Sequence, residues 1–381
     1  MTGKDQPMIR KALSLLLVFF LLLPLPLLAE EEDLLIEEVI ETVPAQEAAS
    51  IFDARGTAQI TVSCTGDFTI GDSYGRKKSS IFQKALEKHG GDINFTLANT
   101  REIFLSDQLT LVNFEGTLTE VRDIPSAKRE NDFLFKINPS FVHVLRDNGI
   151  EAVSLENNHI MDFGDPGYED TKIALREAGV VYSNSTEMGI INVEGIQIAM
   201  MSYLCIDRYN KPVGGYNSLF EKVEADIRAI KEKYPILIVS FHWGNELDYA
   251  PTENQIKMGR LAVDAGADLV IGHHSHRINP IEQYKGVYIC YSLGNFCFSG
   301  NSRPSDMSSY IFQTRFRIRE GNILDRDFRI IPISISSRED TNDFIPTVES
   351  SPTRIDSLLT VLRSNGRKLE YAVTDYPLDW K

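Results

Sequence analysis

Residues 151–164 read EAVSLENNHIMDFG: an apolar run short enough for a buried strand, closed by Asn157, Asn158 and His159, with Asp162 three residues on and Gly164 after it. Two amides and an imidazole are costly to desolvate at a strand end without partners. Other strands in the chain end the same way. TVSCTGDFTIG delivers Asp67, LTLVNFEG delivers Asn113 and Glu115, LIVSFHWGNE delivers His242 and Glu246, and LVIGHHSHR delivers His273, His274 and His276. Five of the seven histidines thus fall in three of these strand ends. In α/β sheets, sites form in the crevice at the carboxyl ends of strands, so the pattern predicts both a fold and a site.

Working outward, apolar runs alternate with helical patterns from about Ala58. Strands are expected at 58–66, 109–116, 151–155, 196–204, 236–244, 268–274 and 286–294. Helices are expected at 80–89, 139–148, 167–178, 217–233 and 252–265. Such alternation means α/β, with parallel or mixed sheets covered by helices. The late run SSYIFQTRFRIREGNILDRDFRIIPI predicts an antiparallel hairpin around REGNI. Residues 337–381 are more polar and read as a tail that packs on the domain, in part as a helix over SLLTVLRSNG.

The first 29 residues are a separate object. Lys4, Arg10 and Lys11 precede an apolar run from Ala12 to Ala29, followed at once by EEED. That layout predicts a signal peptide or, at 18 apolar residues, a membrane anchor, and either places the remainder outside the cytoplasm: secreted, periplasmic or anchored to the membrane. Residues 30–57 carry eight acids up to Ser50 and read as an acidic linker or a short amphipathic helix. A net charge of −15 argues against nucleic acid as a partner. Of the four cysteines, three sit in strand-like runs and read as small buried side chains, with a Cys290–Cys297 bridge conceivable.

Carboxylate, carboxamide oxygen and neutral imidazole together suit manganese, iron or zinc, as one ion or two. His274 and His276, two apart on an extended segment, point to a shared centre. Spacing leaves both His273 and His274 open as the other imidazole of this segment, the strand register leaning to His274. Bound cations also reconcile an acidic protein with an anionic substrate.

TGDFTIG, VNFEGTLT, ENNHIMDFG, FHWGNE, IGHHSHRINPIEQY and YSLGNF, in this order over residues 58–336, resemble the CapA family of capsule or poly-γ-glutamate synthesis proteins, itself similar to calcineurin-like metallophosphoesterases. The resemblance implies a four-layer αββα sandwich of two mixed sheets flanked by helices. It implies Asp67 and Glu115 as metal ligands, Glu115 standing at the bridging position; Asn158, His242 and His274 on one ion; and His276 on the other. It further implies His159 as a general acid oriented by Asp162. Thr69 stands where the phosphoesterases have a histidine, and Glu115 where they have the shorter aspartate. Two functions follow from the resemblance. One is a metal-dependent hydrolase acting on a cell-envelope polymer. The other is a non-catalytic accessory protein that binds or transports an anionic polymer such as poly-γ-glutamate beside membrane-embedded synthesis proteins.

Overall fold

Two large sheets lie face to face in the computed structural model, which describes residues 37–42, 50–74, 80–126, 128, 133–206 and 215–380. One has eight strands: Thr347–Val348, Asn322–Ser334, Ser308–Arg319, Ala58–Thr69, Leu109–Phe114, Ala152–Ser154 and Val181–Ser183 in spatial order, with Asn295–Phe298 paired beside Ala58–Thr69. The other has seven: Glu37–Thr42, Glu187–Val193, Ile196–Cys205, Ile236–Trp243, Leu269–His273, Val287–Cys290 and Ile281–Tyr284.

Alternation along the strands makes the layers. Leu109 and Leu111 from the first sheet meet Ile236, Ile238, Leu269 and Ile271 from the second in the central core. Val112, Phe114 and Val153 point the other way, into a cluster with Phe82, Leu145 and Leu175 from the helices. Leu237, Val239 and Phe241 likewise meet Val223, Ile227 and Met258 of the helices Gly215–Lys231 and Glu253–Ala265. Helix, sheet, sheet, helix is the αββα sandwich that the resemblance implied.

The hairpin Ser308–Arg319/Asn322–Ser334 turns at Glu320 and Gly321, whose φ of 53° and 75° match a two-residue turn of the primed type. The expected tail helix spans Pro352–Gly366, and the tail is more than a cover: Leu358 and Leu362 of the helix, and Tyr376 beyond it, belong to the central core. All four cysteines are free and buried; Cys290 lies in the central core and Cys297 in the helix-side cluster, so the bridge considered above does not form.

The acidic linker needs correction. Within it, Glu37–Thr42 forms a strand parallel to Glu187–Val193. Three β-branched residues, Val39, Ile40 and Thr42, favour extended backbone. Ser50 Oγ also donates to Glu194 Oε2 at 3.1 Å. The signal or anchor reading of residues 1–29 lies outside the described residues, among which no helix is long and apolar enough to cross a membrane.

Candidate metal centre

The same alternation that builds the core carries polar side chains into the gap between the sheets. Asn113 and Glu115 continue the inward face of Leu109 and Leu111; His242 continues that of Ile236 and Ile238; His273 continues that of Leu269 and Ile271. Asp67 is different. Ile60, Val62 and Cys64 face inward, so unbroken alternation would turn Asp67 toward the helices. A register shift between Cys64 and Asp67 inserts a bulge, after which Phe68 faces the helices and Asp67 the gap. Gly66 permits it: a Cβ there would lie 2.0 Å from the carbonyl oxygen of Gly294.

Beyond Leu269–His273 the chain does not stay extended. His274 and His276 have φ of 90° and 52°, conformations that non-glycine residues rarely adopt and that persist where the surroundings impose them. Leu247 N–H donates to Ser275 O at 2.7 Å, and Arg277 Nη1 donates to His276 O at 2.7 Å. His274 and His276 do converge, with ring centroids 6.2 Å apart, but because the chain bends rather than because they share one side of a strand. Register carries His273, not His274, inward, with Nδ1 3.6 Å from Asp67 Oδ1; His274 lies beside His242 at 4.7 Å between centroids.

Donor atoms of Asp67, Glu115 and His276 all lie within 4.8 Å of one another. Asp67 Oδ1 accepts from Asn113 Nδ2 at 2.8 Å, and its Oδ2 lies 3.1 Å from His276 Nδ1, which is also 2.9 Å from Asn295 Oδ1. Glu115 Oε1 is 3.8 Å from His242 Nε2 and 3.9 Å from His159 Nε2. His242 Nε2 lies 2.7 Å from Asn158 Oδ1, close to the roughly 3 Å that separates neighbouring ligands of one ion at metal–ligand lengths near 2.1 Å. Glu115 therefore faces both groups, Asp67 with His276 and Asn158 with His242.

Several of these atoms are buried without a hydrogen-bond partner: both carboxylate oxygens of Glu115, Asn113 Oδ1, both ring nitrogens of His273, His274 Nδ1 and Thr69 Oγ1. Leaving one such atom dry costs about 1–3 kcal/mol, more for a charged group. A cluster of carboxylates and imidazoles with that many open acceptors fits a cation, and the donor set fits a hard-to-borderline divalent ion.

The electrostatics agree. Burial, with the Asp67 charge adding, pushes the Glu115 carboxyl up to about 7. His273 and His274 are pushed down to about 4 by burial, and His242 lies well below its ordinary value by burial and by neighbouring imidazoles, His274 first. Neutral imidazoles are the form that binds metal. His276 goes the other way: burial opposes its charge, but Glu115 and Asp67 push it up to about 10. In the metal-free protein its proton occupies part of the role a cation would fill. Burial works against Asp67 as well, yet His276, then His273 and Asn113, keep its carboxyl below the usual range.

Beside this cluster His159 Nδ1 lies 2.9 Å from Asp162 Oδ2. Asp162 also accepts from Phe135 N–H at 2.8 Å and from Lys128 Nζ at 2.5 Å, and the Phe135 ring stands edge-on to His159 at 4.6 Å. Asn157 shapes the turn: its Nδ2 donates to Phe114 O at 2.8 Å and its Oδ1 accepts from His159 N–H at 3.0 Å.

Comparison with known proteins identifies the family. The profile described as bacterial capsule synthesis protein PGA_cap matches residues 61–300. The chain belongs to this family. It is 32% identical over 263 residues to the PGA biosynthesis protein CapA of Bacillus subtilis (strain 168), covering 65% of this chain and 66% of that one. It is 26% identical over 314 residues to the capsule biosynthesis protein CapA of Bacillus anthracis, covering 77% and 72%. The chain spans just under two thirds of the B. subtilis relative's length. Among solved structures it is similar to the 5'-nucleotidase from Candida albicans SC5314, with 12% identity, a TM-score of 0.39 and coverage of 81% of this chain and 57% of that one.

In this PGA_cap member the residues singled out by sequence, Asp67, Glu115, Asn158, His159, Asp162, His242, His274 and His276, all surround one crevice. Glu246 is exposed, though its charge acts on Glu115. Sequence reading assigned no role to Asn113, Asn295, Lys128 or the Phe135 N–H. Asn113 was visible at its strand end, and Asn295 lay within the quoted YSLGNF, but Lys128 carries no local signal at all.

Proposed function

We propose that this PGA_cap member is an exported protein of capsule or poly-γ-glutamate synthesis whose inter-sheet crevice holds one or two divalent ions, manganese, iron or zinc. In this reading it acts on an anionic cell-envelope polymer as a metal-dependent hydrolase of the phosphoesterase type. The observation that carries it is the convergence of Asp67, Glu115 and His276 with so many buried, unpartnered donor atoms. Asp67, Glu115 and His276 would hold one ion, and Asn158, His242 and His274, with Glu115 between, a second. When bound, such an ion supplies Lewis acidity toward a phosphoryl or carbonyl oxygen and lowers the pKa of water. The chain's own part is proton delivery. With Nδ1–H held by Asp162, the His159 imidazolium presents Nε2–H to the leaving oxygen, and the three donors to Asp162 hold that carboxylate in place.

Metal content decides the first half. Elemental analysis of protein purified without chelator or affinity nickel should find one or two equivalents of transition metal, lost in D67A and H276A. Wild-type protein that stays metal-free after reconstitution would overturn the metal site. H159N should keep its metal and lose turnover of phosphate esters by at least about a hundredfold; unchanged turnover sinks the acid assignment. Thr69, with a hydroxyl where the phosphoesterases place a histidine, favours the second reading, a non-catalytic accessory that binds the polymer. A capsule phenotype that survives D67A and H276A would select it.

A further inference from the structure

Arg277 is the only lysine or arginine among the described residues that is buried, at 7% exposure. Buried cations are almost always paired with carboxylates, because an uncompensated charge is expensive to remove from water. Two partly buried cations show the usual pairing: Arg260 sits 2.7 Å from Glu282, and Lys231 2.6 Å from Asp268. No carboxylate of the described residues pairs with Arg277. Its Nη1 donates to His276 O at 2.7 Å, its Nη2 to Ser305 Oγ at 2.8 Å, and its guanidinium lies over the Tyr249 ring at 5.7 Å. The nearby acid, Asp306, is committed elsewhere: Oδ2 accepts from Tyr249 O–H at 2.7 Å and Oδ1 from Ser308 N–H at 2.8 Å.

The position is as informative as the missing partner. Arg277 follows His276 directly, and its Nη1 donates back to the His276 carbonyl, so the guanidinium is tied to the backbone of a residue of the metal crevice. Ser305 is also part of the wall of a cavity of about 370 Å³, lined further by Asp306, Ser308, Ser336, Arg338 and Arg354. Those two arginines already have acids: Arg338 faces Asp340 at 3.7 Å and Arg354 faces Glu349 at 2.6 Å. A five-donor fork engaged by three neutral groups, the His276 carbonyl, Ser305 Oγ and the Tyr249 hydroxyl, still has N–H groups left for a planar or tetrahedral oxyanion.

We propose that Arg277, with Ser305, forms an oxyanion subsite beside the metal crevice and takes a carboxylate or phosphate of the polymer chain whose neighbouring group lies at Asp67, Glu115 and His276. The inference rests on the anionic-polymer reading above and adds the residue that would grip the chain. It also explains how an acidic protein holds a polyanion: the cation is local and is not cancelled by an acid of its own.

The test is anion binding, separate from turnover. Full-length chain in detergent, stripped of metal by chelator, is titrated with fluorescently labelled oligo-γ-glutamate and, in parallel, with inorganic polyphosphate. R277M should weaken at least one probe by about tenfold or more, the loss of one charge-assisted contact, with R277K intermediate. The probe that is lost tells which oxyanion the subsite takes. S305D keeps Arg277 and supplies the missing carboxylate from within; it should melt no earlier than wild type and bind the same probe about tenfold more weakly. Equal binding of both probes by wild type, R277M and S305D overturns the subsite. Metal content measured on the same proteins before stripping keeps the questions apart: an absent metal defeats the hydrolase reading, while an Arg277-independent affinity defeats this one.

Discussion

Glu151 shows what a single buried acid does to this protein. It is 8% exposed, its Oε2 accepts from Thr110 N–H at 2.8 Å, and burial pushes its carboxyl up to about 7. Asp107 nearby is raised as well, by burial and then by Glu151 itself. A raised native pKa means that the folded chain holds a proton which the unfolded chain has released between about 4.5 and 7. Glu151 therefore contributes full stability below about pH 4.5, and that contribution is lost as pH rises through 7. E151Q keeps the acceptor for Thr110 and abolishes the titration. Relative to wild type it should be near neutral at pH 5 and stabilising at pH 8, by up to about 3 kcal/mol at roughly 1.4 kcal/mol per pKa unit. Urea unfolding at the two pH values checks it; a gain equal at both would mean that the effect is not ionisation. Glu151 also marks the limit of reading single residues. Asp67, Glu115 and the histidines were legible because polar groups at strand ends need a reason. Glu151 precedes an apolar run and looks like an ordinary boundary, and Lys128 and Arg277 take their meaning from partners more than twenty residues away.

At the scale of elements, the expected helix 252–265 lies within a residue of the observed Glu253–Ala265, and its start was legible for a physical reason. Thr252 accepts from Gln255 N–H at 3.3 Å while Gln255 Oε1 accepts from Thr252 N–H at 2.8 Å, a reciprocal capping box. What sequence could not show is that this cap rests on the strand carrying His242. Gly244, just past Trp243, has φ of 81°, and a Cβ there would come within 2.5 Å of Gln255 Oε1. G244A should thus strain the backbone by about 1–2 kcal/mol and also disturb a cap worth about 1 kcal/mol. Its total cost should exceed that of T252A, which removes the cap alone. Equal costs in urea unfolding would show the turn and the cap to be independent. Among the strands missed from sequence, Val181–Ser183, Glu187–Val193, Ile281–Tyr284 and Asn295–Phe298 are short or lie directly beside another strand with a tight turn between. No helix separates each of them from the strand that follows or precedes it at the tight turn, and their few residues carry little pattern of their own.

Taken whole, the molecule depends on the gap between its sheets, and here the alternation of strands and helices was a guide to class but not to arrangement. Nothing in a period of two says that Asp67 and Glu115 belong to one sheet while His242 and the loop carrying His276 belong to the other; that is visible only in the structure, as is the bulge that turns Asp67 inward. The consequence is a prediction about the entire unit. A cation held by Asp67, Glu115 and His276 ties the eight-stranded sheet to the loop leaving the seven-stranded one, so its binding energy acts against separation of the sheets. A ligand that binds only the folded chain stabilises it by about 2.7 kcal/mol at a hundred times its dissociation constant. Titrating manganese or zinc into chelator-stripped protein should therefore raise the melting temperature by several degrees, in one transition. D67A and H276A should melt at a temperature independent of metal, and N158A should retain part of the rise because its amide is near His242 rather than in the Asp67 cluster. If metal raises the midpoint of D67A as much as that of wild type, the ion binds elsewhere. If it raises neither, the crevice keeps its open acceptors without a cation, and the proton on His276 is the positive charge that Asp67 and Glu115 retain.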